Sequence, residues 1–178
     1  MTRAFVAVQL PAAVLDAVGE HTAGIAVPGR RTTRDQWHLT LQFLGNRADV
    51  DAVADALVGI DTPPGEVRMG GTGAFPRDSR GTVLWLGVSD GAEWLAQVAD
   101  AVMTRTEVLG HERETRPFRP HLTLARCRTP TDLRPVIAAL RDEPVGPAWR
   151  VETVTVFESQ IRRDGARYTP RAVIALPG

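Results

Sequence analysis

The chain has 178 residues, 43% hydrophobic and 24% charged, the composition of an ordinary globular protein long enough for one well-cored domain. Its 21 basic and 21 acidic residues cancel, which excludes a protein that coats long nucleic acid by bulk charge. No run approaches about 18 uninterrupted apolar residues, so no membrane partner is expected. Cys127 is the sole cysteine and Met1–Arg3 lead straight into an apolar strand pattern without a secretion signal, which sets the expected location in the reducing cytoplasm.

In chain order, Phe5–Leu10 reads as an apolar strand and Ala12–Thr22 as a helix with Val14, Leu15 and Val18 on one face. A Gly/Pro/Arg loop, Gly24 to Asp35, leads to a second strand at His38, then a helix over Val50–Ile60 and an extended segment, Glu66–Phe75. Within it, Met69-Gly70-Gly71-Thr72-Gly73 lacks the Gly-Lys-Ser/Thr ending and following helix of a phosphate loop, and reads as a bulge or turn. The order then repeats: an apolar run at Val83–Val88, a helix over Ala92–Val108 with Leu95, Val98, Ala99 and Val102 inward, and a polar loop, His111–Pro120. A strand at His121, a helix over Leu133–Leu140, an extended segment Trp149–Phe157 and a final strand Ala172–Leu176 complete the pattern.

Self-similarity at an offset of roughly 80 residues predicts an α+β fold of two pseudo-symmetric halves, about 1–80 and 81–178, in one bilobal domain. Short period-2 strands with half-buried faces favour largely antiparallel sheets backed by helices, with a cleft between the halves.

The most informative feature is a tetrapeptide that occurs twice, His38-Leu39-Thr40-Leu41 and His121-Leu122-Thr123-Leu124, using two of the four histidines. Strand alternation places the leucines in the core and offers an imidazole and a hydroxyl on the opposite face. An isolated strand histidine is ordinarily a hydrogen-bonded structural residue, and His21 and His111 read as surface. Two histidines in identical frames point to function. Zinc wants three or four ligands, and between Thr115 and Thr131 there is no Asp or Glu, so neither a metal nor another cofactor is expected. Histidine titrates near neutrality, so one can act as acid while its partner acts as base. A pseudo-twofold axis through a phosphorus atom would set one imidazole on each side of an in-line displacement, with Thr40 and Thr123 donating to the non-bridging oxygens. All 21 basic residues are arginines, and Arg30, Arg31, Arg34, Arg113, Arg116, Arg119, Arg126 and Arg128 gather around the two motifs, which favours an anionic ligand.

With these motifs the chain resembles the two-histidine phosphoesterases, and more closely the RNA 2′,3′-cyclic phosphodiesterases first described as 2′-5′ RNA ligases. The resemblance runs through Phe5–Val8, His38–Gly45, Gly73–Pro76, Val83–Val88, Arg119–Arg126, Glu158-Ser159 and Arg167–Thr169. It implies metal-independent hydrolysis of a 2′,3′-cyclic phosphate to a 2′-phosphate, with His38 as proton donor and His121 as proton acceptor. Thr40, Thr123 and Arg126 would hold the phosphate. Strict alternation turns Arg126 toward the leucine side, so that role requires the strand to end or bulge there. Which loop arginine touches the ligand stays open. Phe118, Phe75 and Tyr168 are the candidates for stacking on a base, with Trp37 a weaker one. The expected partners are RNA 3′ ends bearing a cyclic phosphate or small cyclic nucleotides, and the expected state is a monomer. Rival readings are a small cyclic nucleotide such as ADP-ribose 1″,2″-cyclic phosphate as main substrate, ATP-independent 2′-5′ ligation, and a non-catalytic RNA-end-binding module.

Overall fold

The computed structural model describes residues 1–178. Nine strands are present: β1 (Thr2–Gln9), β2 (Arg30–Arg31), β3 (His38–Ala48), β4 (Gly65–Phe75), β5 (Gly81–Asp90), β6 (Leu122–Thr131), β7 (Pro144–Val151), β8 (Thr153–Arg162) and β9 (Gly165–Ala175). Four helices join them: α1 (Ala12–Thr22), α2 (Val50–Leu57), α3 (Ala92–Glu107) and α4 (Arg134–Leu140). The fold is α+β, with every strand pair antiparallel.

The strands form a four-stranded sheet in the order β3-β1-β8-β9 and a five-stranded sheet in the order β2-β6-β5-β4-β7. Leaving β2 aside, the two orders match: each motif strand is followed by the apolar strand that precedes it in sequence. The next strand comes from the other half of the chain. Glu66–Phe75 pairs in the second sheet with β5, and β8 pairs in the first sheet with β1. The extended segment expected as one piece, Trp149–Phe157, is two strands broken at Glu152, because the chain leaves one sheet there and enters the other. The last strand begins seven residues earlier than Ala172 and forms a long hairpin with β8.

Helix α3 turns Leu95, Val98, Ala99 and Val102 into the interior, and α1 buries Val14 and Val18, as their spacing predicts. One apolar cluster of 36 buried residues runs through both sheets and all four helices. The motif leucines belong to it: Leu39 and Leu122 are completely buried, Leu41 and Leu124 nearly so. Each contributes roughly 1.5–3 kcal/mol of burial. Together they lock the register, since a one-residue slip would turn both histidines into the core and the leucines into solvent.

The stretch expected as a plain loop, Gly24–Asp35, carries structure of its own. Arg30 and Arg31 pair with Arg126 and Ala125 as β2, so the loop of the first half docks on the motif strand of the second. Gly29 permits the approach: it sits at φ +80°, and a Cβ there would lie 2.4 Å from the Arg126 carbonyl oxygen. No helix is long and apolar enough to cross a membrane.

Candidate active site

Both motif histidines face one cleft of about 300 Å³ between the two sheets, together with Thr40, Thr123 and Arg126. The backbone before each motif sets the imidazole. A short 3-10 turn, Arg34–Gln36, is closed by Thr33 and Gln36 in a capping box, and the Gln36 carbonyl oxygen lies 2.7 Å from His38 Nδ1. In the second motif Pro120 biases Arg119 toward an extended conformation, and the Arg119 carbonyl oxygen lies 2.8 Å from His121 Nδ1. A carbonyl only accepts, so in both rings Nδ1 carries the proton and Nε2 is the atom left to do chemistry. His38 Nε2 is 3.0 Å from the Thr40 hydroxyl, which donates to it while the ring is neutral.

The two motifs are also tied to each other. The Thr32 hydroxyl donates to the Thr123 carbonyl oxygen (2.6 Å) and accepts from Trp37 Nε1 (3.0 Å), which links the residue before His38 to the strand carrying Thr123. Aromatic rings pack both imidazoles. Phe5 stacks on His38 at 4.7 Å and Tyr168 meets it edge-on at 5.1 Å, while Phe75 meets His121 edge-on at 4.9 Å. Burial pushes the His38 pKa down from 6.5 to about 4, with His121 and Arg126 adding repulsion. Burial lowers His121 as well, again with Arg126 contributing. Both rings are therefore mainly neutral at pH 7.

The strand geometry resolves the difficulty over Arg126. The β5–β6 pairing shifts register between Leu84↔Ala125 and Trp85↔Thr123, so β6 bulges at Leu124 and the next residues exchange faces. Ala125 is buried and Arg126 points into the cleft. Its guanidinium has the fork geometry that suits phosphate oxygens. Arg30 and Arg31 line the cleft too, with Arg31 pinned by the Thr22 and Ile25 carbonyls and Arg30 donating to the Asp164 carbonyl. Arg34, Arg113 and Arg116 instead form surface ion pairs with Asp16, Asp100 and Glu114. The cleft lining holds four arginines and no carboxylate, so a chain of zero net charge presents a locally positive site. No three His, Cys, Asp or Glu side chains cluster where they could hold a metal ion.

Among the aromatic candidates only Tyr168 lines the cleft. Phe75 lies against His121, while Phe118 and Trp37 pack partly buried against the core. His21 and His111 are half-buried and away from the cleft. Arg3, Gln36, Phe43 and Ser159 reach it without having been expected from the sequence. For Phe43 a signal existed, since it follows His38 at the distance at which Arg126 follows His121.

Two motif strands facing across a basic cleft, each offering Nε2 and a hydroxyl, define a two-lobed, paired-histidine phosphoesterase architecture. The chain belongs to the 2′-5′ RNA ligase superfamily, whose model matches residues 25–162. An RNA 2′,3′-cyclic phosphodiesterase of Aeropyrum pernix is 31% identical over 151 residues, covering 82% of this chain and 85% of that relative. One of Escherichia coli is 31% identical over 174 residues, covering 94% and 93%. Among solved structures, E. coli LigT complexed with 3′-AMP superposes with a TM-score of 0.81 at 28% identity over 99% of each chain.

Proposed function

We propose that this protein hydrolyses 2′,3′-cyclic phosphates at RNA 3′ ends or on nucleotides, leaving a 2′-phosphate. The observation that carries the reading is the mirrored pair of imidazoles. Each is anchored through Nδ1 to the carbonyl two residues before it, so that both Nε2 atoms face the same arginine-lined cleft. The names of the relatives and the superposition on LigT support it.

In this reading the cyclic phosphate rests against Arg126, with Thr40 and Thr123 donating to its non-bridging oxygens. His121 Nε2 takes a proton from water as the water oxygen attacks phosphorus. The P–O3′ bond breaks in line, and His38 Nε2 gives its proton to O3′. Thr40 and Arg126 stabilise the charge that builds on the equatorial oxygens. Burial, with repulsion from His121 and Arg126, keeps His38 neutral at pH 7, so it gains its proton as the substrate anion enters and favours the charged ring. The direction of the reaction, with His38 as donor, follows the family pattern. No cofactor is required. Both motifs lie on one chain, so a monomer suffices, and a sole cysteine suits the cytoplasm.

The test is incubation of adenosine 2′,3′-cyclic phosphate and a short RNA ending in the same group with the protein in EDTA, with the product phosphate located by NMR. A 2′-phosphate from both is expected. A 2′-5′ linked dimer as main product would make ligation the activity, and tight binding without turnover would make the chain an RNA-end binder.

A further inference from the structure

His38 and His121 lie in different sheets, so their separation depends on what ties the sheets together beside the cleft. The stretch Thr32–Trp37 makes such a tie. Toward β6, Thr32 N donates to the Leu124 carbonyl (2.9 Å) and the Thr32 hydroxyl to the Thr123 carbonyl (2.6 Å). Two backbone carbonyls at the bulge that turns Arg126 into the cleft are thereby held by one residue. Toward the other sheet, Gln36 Nε2 donates to the Ala166 carbonyl in β9 (2.7 Å), while the Gln36 carbonyl accepts from His38 Nδ1. Trp37 Nε1 closes the link by donating to the Thr32 hydroxyl (3.0 Å). The first motif strand is tied in the reverse sense. Its register shifts between Val6↔Gln42 and Ala7↔Thr40, so β3 bulges at Leu41. Gln42, buried beside that bulge, accepts from the Thr106 hydroxyl (2.7 Å) and donates to the Glu112 carbonyl (3.4 Å) in the loop before His121. Each bulge is thus bonded to the segment that leads into the other motif.

Thr32 lines the cleft, yet its hydroxyl is not free to hold a phosphate. A hydroxyl has one proton, and this one is committed to the Thr123 carbonyl while a lone pair receives Trp37 Nε1. What remains can only accept, and a lone pair repels an anionic oxygen. The residue therefore acts through its neighbours: Thr123, whose own hydroxyl faces the cleft, and Trp37, the residue before His38. We infer that Thr32 is a positioning residue that sets the spacing of the two motifs for in-line displacement. A tetrahedral phosphate monoester can lean on Arg126 and one hydroxyl, whereas five-coordinate phosphorus must meet an Nε2 at each apex. Misplacement is therefore felt in the transition state and little in the ground state. The inference rests on the proposed reaction and gives it a residue that neither motif contains.

The test is binding of uridine–vanadate, a five-coordinate mimic, and of uridine 2′-monophosphate, its tetrahedral counterpart with the same base. Thr32→Val, which keeps the shape and removes the hydroxyl, should weaken the mimic about 10- to 100-fold and leave the monophosphate unchanged. Thr32→Ser, which keeps the hydroxyl, should bind the mimic as the wild-type protein does. Trp37→Phe, which removes only the other end of the link, should reproduce the loss, and the double variant should lose no more than either single one. Wild-type binding of the mimic by Thr32→Val would overturn the inference. So would equal weakening of both ligands, a serine variant as weak as the valine one, or additive losses in the double variant. In each of these cases a wild-type protein that prefers the mimic and hydrolyses the cyclic phosphate leaves the proposed reaction standing. A wild-type protein with no preference for the mimic would defeat the reaction, and the inference with it.

Discussion

Holding His38 neutral makes the stability of the fold depend on pH in a window that can be isolated. The ring titrates near 6.5 in the unfolded chain and near 4 in the folded one. As pH falls through 6.5 the unfolded state takes up a proton that the folded state refuses, so unfolding is favoured progressively until about pH 4, below which this group adds nothing more. At 1.36 kcal/mol per pH unit the full effect is roughly 3 kcal/mol. Between pH 7.5 and pH 5 it amounts to about 2 kcal/mol. The perturbation is His38→Gln, which keeps a polar group beside the Gln36 carbonyl and cannot titrate. Urea unfolding followed by tryptophan fluorescence at the two pH values gives the stabilities. The wild-type protein should lose about 2 kcal/mol more than the variant between pH 7.5 and pH 5. His121, whose pKa burial also lowers, remains in both proteins, so its own contribution largely cancels in the comparison. Glu114 and Asp132, held near 2 by Arg116 and Arg134, act at lower pH. Equal losses in the two proteins would show that His38 is not desolvated, and the account of how the site gains its proton would fall with it.

The same shift predicts proton uptake on ligand binding: phosphate titrated calorimetrically near pH 6 in buffers of different ionisation enthalpy should draw up to one proton, and zero uptake would contradict it. Turnover should persist in excess EDTA, because the cleft offers two histidines and no carboxylate as ligands; activity lost to the chelator and restored by zinc or manganese would refute the mechanism. Thr40→Val and Thr123→Val should each slow the reaction roughly 10- to 1,000-fold with the melting temperature nearly unchanged, and a wild-type rate in both would remove the hydroxyls from the mechanism. His38→Ala and His121→Ala should each lose about 10²–10⁴-fold, the first flattening the alkaline limb of the pH–rate profile and the second the acidic limb; exchanged limbs would exchange their roles.

The sequence by itself determined the faces. In His38–Leu41 and His121–Leu124, period-2 alternation says which atoms enter the core and which meet the cleft. Burial of the leucines enforces it, because no other register keeps apolar groups dry. Helices α1 and α3 were legible for the same reason, since their apolar spacing has one solution. Local pattern could not decide which strand pairs with which. Glu66–Phe75 and Trp149–Phe157 read as closing their own halves, yet Glu66–Phe75 and the part of the second segment after Glu152 each pair in the other half's sheet, because backbone hydrogen bonds carry no record of sequence distance. Nor does alternation survive a bulge. The extra residues at Leu41 and Leu124 leave no mark in composition, so Arg126 and Phe43 reach the cleft only once neighbouring strands impose the shift. The protonation state of the histidines belongs wholly to the tertiary structure. Two carbonyls choose the tautomer, while burial and one arginine choose the charge, and all of these arrive only when the chain has folded.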